Sequence, residues 1–466
     1  MAKKLKRRQV VDLNIEKVAF GGKGIAHVDD FVVFVENTLP GDVVTAKITK
    51  SRKNYAEAYT LELLTPSPLR QPAPCEHFGH CGGCKWQHAA YEQQLAFKKQ
   101  HVEESLKHIG NAVPGVIYDV LPAPQQYGYR NKMEFSFSSN RWLTPEELKN
   151  PEIKKDFALG LHVPRHFDRI IDINKCWIQT EFFNEVMAFS KAFFKTCGVP
   201  VYHLRNKDGI LRHLVLRQSF TEQKVMVNVV TFSPIEKVMT EYAEKLVAEF
   251  PYVSSVVNTI NSRLAQIATG DEKYVIYGKP LLKEKLGDYI FEISPESFFQ
   301  TNTVQAENLY KIVKEYAEID DNIVWDLYCG TGSIAIFVSE NAKKVTGFEI
   351  VENAVKDAYR NAALNNISNC HFVAGDLRFN LQKYANEPPD VLICDPPRAG
   401  MHKDVVQAIR DIAADKIIYV SCNPATMARD LVELLEDYIL EKVQPVDMFP
   451  NTYHIESVAK LVKKAK

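Results

Sequence analysis

At 466 residues, with 46% hydrophobic and 25% charged side chains, the chain has core enough for two to four domains and is neither disordered nor a fibrous repeat. Its net charge of −1 gives no global signal for nucleic acid, and no apolar stretch is long enough to span a bilayer. Nine cysteines in so long a chain do not make a disulfide scaffold. The opening MAKKLKRRQVVDL lacks the apolar core of a secretory signal, so a cytoplasmic location is expected, with clustered thiols serving as metal ligands or catalysts.

The charge is unevenly placed. KKLKRR (3–8) and KITKSRKNY (47–55) bracket a first module, and each reads equally as a solvated face or as a contact for a polyanion. Residues 9–64 alternate apolar and polar residues between Gly-Gly, Asp-Asp and Pro-Gly-Asp turns, which predicts five short strands in a small OB-like barrel. TPSPLRQPAPC (65–75) is a proline-rich linker.

Cysteines follow at once. PCEHFGHCGGCKWQH places Cys75, Cys81 and Cys84 in C-x5-C-x2-C spacing, a metal-site pattern that lacks a fourth ligand. Cys176, in INKCWIQ, is the best candidate for it. Spacing leaves zinc and an iron–sulfur cluster both open, with His77, His80 and His88 leaning toward zinc. Cys197, Cys329, Cys370 and Cys394 read as core.

Residues 89–109 form an amphipathic helix, and 120–290 are mixed and strand-rich with helices near 180–196 and 235–250. YRNKMEFSF (129–137) sets Arg130 and Lys132 beside aromatic residues, as an RNA contact or as a hairpin with solvated basic ends. From about 291 the character changes. Buried strands (NIVWDLY, KVTGFEI, CHFVAG, DVLICD, KIIYVSC) alternate with helices, which predicts a doubly wound, mostly parallel sheet.

Ligands in such sheets bind beyond the carboxyl ends of the strands. The first strand ends in DLYCGTGSIAI, where Gly330 and Gly332 allow close backbone approach. Glu349 ends the second strand, suited to ribose hydroxyls, and Asp376 follows the third. Two acids behind a G-x-G loop favour an adenosine ligand without a pyrophosphate, so S-adenosylmethionine fits better than NAD. The fourth strand ends in CDPPRAG, a stiff loop that fixes the Asp395 carboxylate. Amino-group methyltransferases carry an aromatic residue after these prolines, and here it is Arg398.

The fifth strand ends in YVSCNPATMARD. Asn423-Pro424 reads as a helix start, so Cys422 lies on the strand-to-helix turn beside a positive helix end, where a thiol's pKa is expected to fall. A thiolate there suits methylation at carbon 5 of uracil, which is too weakly nucleophilic to attack a methyl donor unaided. Addition of sulfur to carbon 6 creates an enolate that makes carbon 5 reactive, and a base must then remove the carbon 5 proton. Glu456, in DMFPNTYHIESVAKL, is the candidate base, with a solvated carboxylate as the bland alternative.

SPESFFQTN (294–302), DLYCGTGS (326–333), DPPRAG (395–400), SCNP (421–424) and HIES (454–457), with a front module similar to TRAM, resemble the RNA uridine carbon-5 methyltransferases over almost the whole chain. The resemblance implies Cys422 as nucleophile and Glu456 as the base. It implies Gln300, Tyr328, Glu349 and Asp395 as contacts to cofactor or target base, with Ser333 and Asp376 as further cofactor contacts. Tyr328 stands where some relatives have phenylalanine, and Ser333 where some have asparagine. It also implies a 4Fe–4S cluster on Cys75, Cys81, Cys84 and Cys176, resolving the zinc alternative, with a structural or RNA-positioning role.

The expected architecture is therefore α/β. A TRAM/OB-like barrel spans 1–68, and a mixed α+β domain carrying the cluster and binding RNA spans 69–290, with the 89–109 helix free to pack on the catalytic domain. A Rossmann-like S-adenosylmethionine-dependent methyltransferase domain spans 291–466. The expected activity is 5-methyluridine formation in 23S ribosomal RNA by a monomer, with the target base flipped out of its stack. Transfer RNA is the alternative substrate, and an N-methyltransferase or a non-catalytic RNA-binding protein are the alternative functions.

Overall fold

The computed structural model describes residues 5–465, so Lys3 and Lys4 of the first basic run lie outside the described residues. Six strands form the first sheet: Val10–Asn14, Lys17–Val18, Gly24–Val28, Phe31–Glu36, Val43–Ser51 and Tyr55–Thr65. The sixth, relative to the five expected, is the two-residue Lys17–Val18, too short to leave an alternating pattern in the sequence. Alternation elsewhere places Leu13, Val33, Val35, Val44, Ala46 and Ala56 in one apolar core.

A seven-stranded mixed sheet occupies the middle of the chain. Helices Glu181–Thr196 and Glu236–Glu249 cover one face, burying Phe183, Met187, Tyr242 and Leu246 against Phe135, Leu214 and Val227. The opposite face mixes the apolar Val215, Met226 and Val230 with the polar Ser136, His213, Arg217, Asn228 and Ser255, all buried.

The C-terminal sheet is built from β1 (Asn322–Leu327), β2 (Ala342–Glu349), β3 (Cys370–Ala374), β4 (Val391–Cys394), β5 (Lys416–Ser421), β6 (Tyr438–Val446) and β7 (Glu456–Lys463). Their order is β3-β2-β1-β4-β5-β7-β6, and the short strand Val116–Ile117 extends the β6 edge. β1 to β5 are parallel, while β7 inserts antiparallel between β5 and β6. Both faces are covered, which is why these strands read as unbroken apolar runs.

Helix Tyr91–His108 packs on this sheet, burying Val102 and Leu106 with Met427, Ala428 and Leu431 of the helix Pro424–Leu434. Its Lys98, fully buried, donates to Asp447 at 2.5 Å and to the Phe449 carbonyl at 3.0 Å. Tyr91 donates to the other Asp447 oxygen at 2.9 Å. These bonds pin the loop that precedes β7.

Candidate active site

The strand ends gather the residues singled out from sequence. Asn423 caps the helix Pro424–Leu434, its side chain accepting from the Ala425 amide at 3.1 Å, so Cys422 is the turn between β5 and that helix. β5 and β7 pair until Ser421 faces Ser457, and one step beyond, Cys422 faces Glu456. Asp395 follows β4, next to β5 in the sheet. The DPPRAG loop is tied to the same helix: the Arg398 carbonyl accepts from Asn423 Nδ2 at 3.2 Å and Thr426 Oγ1 at 3.3 Å. The Arg398 guanidinium donates to the Tyr453 hydroxyl at 3.0 Å.

The electrostatics reverse the expectation for Cys422. Burial, reinforced by the carboxylates of Glu456 and Asp395, pushes the thiol up to about 12, and Arg398 offsets this only in part. The helix end contributes a partial charge, whereas two nearby carboxylates and desolvation act together against the thiolate. Burial also pushes Asp395 up to about 7 and holds Glu456 well above the usual carboxylate range, the Asp395 charge adding to the effect. Among the described residues none hydrogen-bonds to either carboxylate. The site therefore holds a thiol and two acids that keep their protons more tightly than usual, with polar atoms free for a ligand.

Next to it, Tyr328, Glu349 and Asp376 line a cavity of about 360 Å³ together with Phe348, Pro397 and Gly400. This is the size of a nucleoside-type site. Glu349 braces the glycine loop, accepting from the Gly330 amide at 3.1 Å and the Val351 amide at 2.8 Å. A Cβ on Gly330 would meet no atom within 4 Å, so the loop presents bare backbone there. Tyr328 takes φ +64°, which turns the chain sharply out of β1. Asp376 caps a short helix, and its carboxylate is engaged by Arg378 at 2.5 Å.

Ser333 is not among the residues lining this cavity; its hydroxyl bonds the Tyr310 hydroxyl at 2.9 Å. Gln300 is held from the other side: Asn131 Nδ2 donates to its carbonyl at 2.9 Å and to Thr303 Oγ1 at 2.8 Å. Asn302 Nδ2 donates to the Met448 carbonyl at 3.0 Å, joining this loop to the one before β7.

Two contributors escaped the sequence reading. Asp326, fully buried in β1, accepts from the Ala335 amide at 2.9 Å and leaves its second oxygen without a partner. Its place at the head of DLYCGTGS was the available signal. The Lys98–Asp447 pair had no local signal.

The four cysteines Cys75, Cys81, Cys84 and Cys176 line one small cavity whose exposed surface is wholly apolar, with Leu161, Trp177 and Ile178. Burial pushes Cys81 up to about 12 and Cys176 to about 11. His77 also lines it, but its Nε2 accepts the Asn174 amide at 3.1 Å. Among the described residues no group of three or more His, Cys, Asp or Glu is arranged around a single metal ion. The cysteine loop is tied to the loop before β7, since the amides of Lys85 and Trp86 donate to the Asn451 carbonyl at 2.8 and 3.0 Å.

The tRNA (uracil-5-)-methyltransferase family model matches residues 201–386 and 376–464. The chain belongs to this family. A TRAM domain matches residues 4–61. Relatives of this chain include an uncharacterized RNA methyltransferase of Bacteroides thetaiotaomicron, 40% identical over 95% of this chain and 99% of its own. Another, from Chlorobaculum tepidum, is 42% identical over 90% and 89%. The crystal structure of Pyrococcus abyssi tRNA (uracil-54, C5)-methyltransferase with S-adenosyl-L-homocysteine is 28% identical, with a TM-score of 0.74 over 97% of this chain and 100% of that one. The fold is thus a mixed α/β S-adenosylmethionine-dependent methyltransferase with an N-terminal TRAM domain. No helix among the described residues is long and apolar enough to cross a membrane.

Proposed function

We propose that this enzyme methylates carbon 5 of a uridine in 23S ribosomal RNA through a covalent bond between Cys422 and carbon 6. The observation that carries this reading is the opposition of Cys422 and Glu456 at the end of the β5–β7 ladder, with Asp395 beside them. S-adenosylmethionine supplies an electrophilic methyl group when bound. Tyr328 and Glu349 would hold its adenosine part in the cavity they line, with the Gly330 amide bonded to the Glu349 carboxylate; Asp376 and Ser333 would contribute less, their polar atoms being already engaged. Asp395, ionised, accepts the uracil N–H, and the Gln300 amide both donates and accepts.

The thiol of Cys422 is protonated in the free enzyme, so its proton leaves through the neighbouring carboxylates to solvent as the base enters. Sulfur then bonds carbon 6, and carbon 5 takes the methyl group. Glu456 removes the carbon 5 proton, and Cys422 departs with the electron pair of the S–C bond.

Cys75, Cys81, Cys84 and Cys176 are the ligands of a 4Fe–4S cluster in this reading, which rests on four thiols lining one small cavity. Such a cluster would fix the loop whose Lys85 and Trp86 amides hold Asn451, ahead of Glu456. Iron and sulfide in anaerobically purified protein support this; stoichiometric zinc without visible absorbance overturns it.

The decisive experiment uses ribosomal RNA containing 5-fluorouridine with S-adenosylmethionine. Fluorine cannot leave as a proton, so a methylated protein–RNA adduct should accumulate and vanish in Cys422→Ala. Methyl transfer to ordinary RNA with no adduct would move the chemistry to nitrogen or oxygen. A transfer RNA substrate is the second reading, favoured by the full-length likeness to the Pyrococcus abyssi enzyme. Mapping 5-methyluridine in both RNAs after parallel incubation separates the two.

A further inference from the structure

The face of the central sheet opposite its two helices opens into a cavity of about 600 Å³ that the proposed reaction does not use. Phe167, 70% exposed, lines it with Trp142 and Tyr202. Arg169 and Lys155 also line it, and among the described residues neither has an ion-pair partner, whereas the lining acid Asp168 is paired with Arg205. An exposed aromatic ring beside free cations is the combination that stacks a base and holds its phosphate.

The floor is built and incompletely satisfied. Arg212, 2% exposed, lies 4.7 Å from the Tyr202 ring centre and donates to the carbonyls of Asn261, Arg263 and Ala265 at 2.6–2.7 Å, but its Nε has no partner. Ser136 Oγ lies 3.2 Å from both His162 Nε2 and His213 Nδ1, leaving His162 Nδ1 and His213 Nε2 unpartnered. Buried polar atoms without partners are costly, about 1–3 kcal/mol each; these lie beneath the lining, with His213 behind Ser136 and His162, and give the cavity a polar underlayer.

A single strand connects this cavity to the reaction centre. Lys132–Ser138 starts next to Asn131, which holds the Gln300 loop, and reaches the cavity at Ser136, about 17 Å along at the usual rise per residue. Lys132 and Arg217 lie opposite each other on the way. Lys132 pairs with Glu134 there, and Arg217 is buried with its guanidinium on the Pro295 and Ser297 carbonyls, so the link between the two places is the strand itself and not a charged track.

We propose that this cavity is a second nucleotide pocket, which takes an unpaired nucleotide of the same RNA a few residues from the target uridine. It deepens the uridine-methylation reading and rests on it for the choice of RNA. Because its test reads binding, the pocket stands or falls whether or not carbon 5 is the atom methylated.

The probes are fluorescein-labelled tri- and dodeca-uridylate, titrated by anisotropy against the full chain and against Phe167→Ala and Arg169→Ala. Both side chains are exposed, so the fold should survive, as checked by thermal melting. Each variant should weaken the dodecamer about tenfold and leave the trimer unchanged. Equal loss on both oligonucleotides, or none on the dodecamer, would overturn the pocket. So would a loss confined to Arg169→Ala that disappears in high salt, since that marks a surface charge rather than a stacked base. Carbon 5 methylation of the dodecamer, measured separately by mass spectrometry, tests the reaction itself.

Discussion

Cys422 and Glu456 face each other one residue beyond the last pair of the β5–β7 ladder, Ser421 opposite Ser457. The opposition exists because β7 runs antiparallel between two strands of the sheet. If Glu456 removes the carbon 5 proton, Glu456→Gln should stall after methyl transfer. The expected result is a rate lowered by about 10²–10⁴ and a covalent adduct on ordinary uridine RNA, seen on a denaturing gel. A wild-type rate would remove Glu456 from the reaction.

Burial, with the same neighbour adding to it, controls the thiol. With Cys422 pushed up to about 12, its thiolate fraction grows about tenfold per pH unit at lower pH. Alkylation of Cys422 by iodoacetamide in the free enzyme should therefore be slow at neutrality and climb without a plateau to about pH 10. A plateau near pH 8 would mean an ordinary or activated thiol.

Asp395 trades stability for function. Its folded pKa, up to about 7 from 3.8, means the native state holds this proton more tightly than the unfolded chain. That contribution is complete below about pH 4 and is lost as pH rises through about 7. Asp395→Asn should thus melt higher than wild type at pH 8, by on the order of 2 kcal/mol, with the advantage gone at pH 4. Methylation should fall about ten- to a hundredfold, the cost of a charged hydrogen bond. A variant less stable than wild type at pH 8 would contradict the desolvation argument.

The two glycines of the G-x-G loop should separate cleanly. A Cβ on Gly332, at φ +78°, would lie 2.9 Å from Phe372 and 3.0 Å from Ala358, inside the core. Gly332→Ala should lower the melting temperature. Gly330, at φ +54°, has open space at its Cβ, so Gly330→Ala carries only the backbone cost of about 1 kcal/mol and should chiefly weaken S-adenosylmethionine binding by calorimetry. Equal effects of the two on stability would refute this division.

Lys98 and Asp447 are both fully buried, and removing one partner strands the other. Lys98→Ala should destabilise by about 3–5 kcal/mol in urea. Lys98→Met with Asp447→Leu should recover part of that, since no unpaired charge remains. It should not recover full methylation, because Tyr91 and the Phe449 loop lose their anchor ahead of Glu456.

Local signals in the sequence determined the strands that end in glycine, acid, Asp-Pro-Pro and cysteine, the Asn423 cap, and the spacing of Cys75, Cys81 and Cys84. Periodicity, capping and turn chemistry are short-range, so they survive translation into a one-dimensional pattern. Acid–base state does not. The helix end beside Cys422 was legible, and the carboxylates that outweigh it were not, because Asp395 and Glu456 arrive from other strands and burial is a property of the packed whole. The Lys98–Asp447 anchor, the Asn131 clasp on Gln300 and the shared cavity of Cys176 with the other three cysteines likewise join distant segments. The sequence by itself determined which chemical groups the strand ends carry; only the tertiary structure decided which of them meet, and at what cost they hold charge.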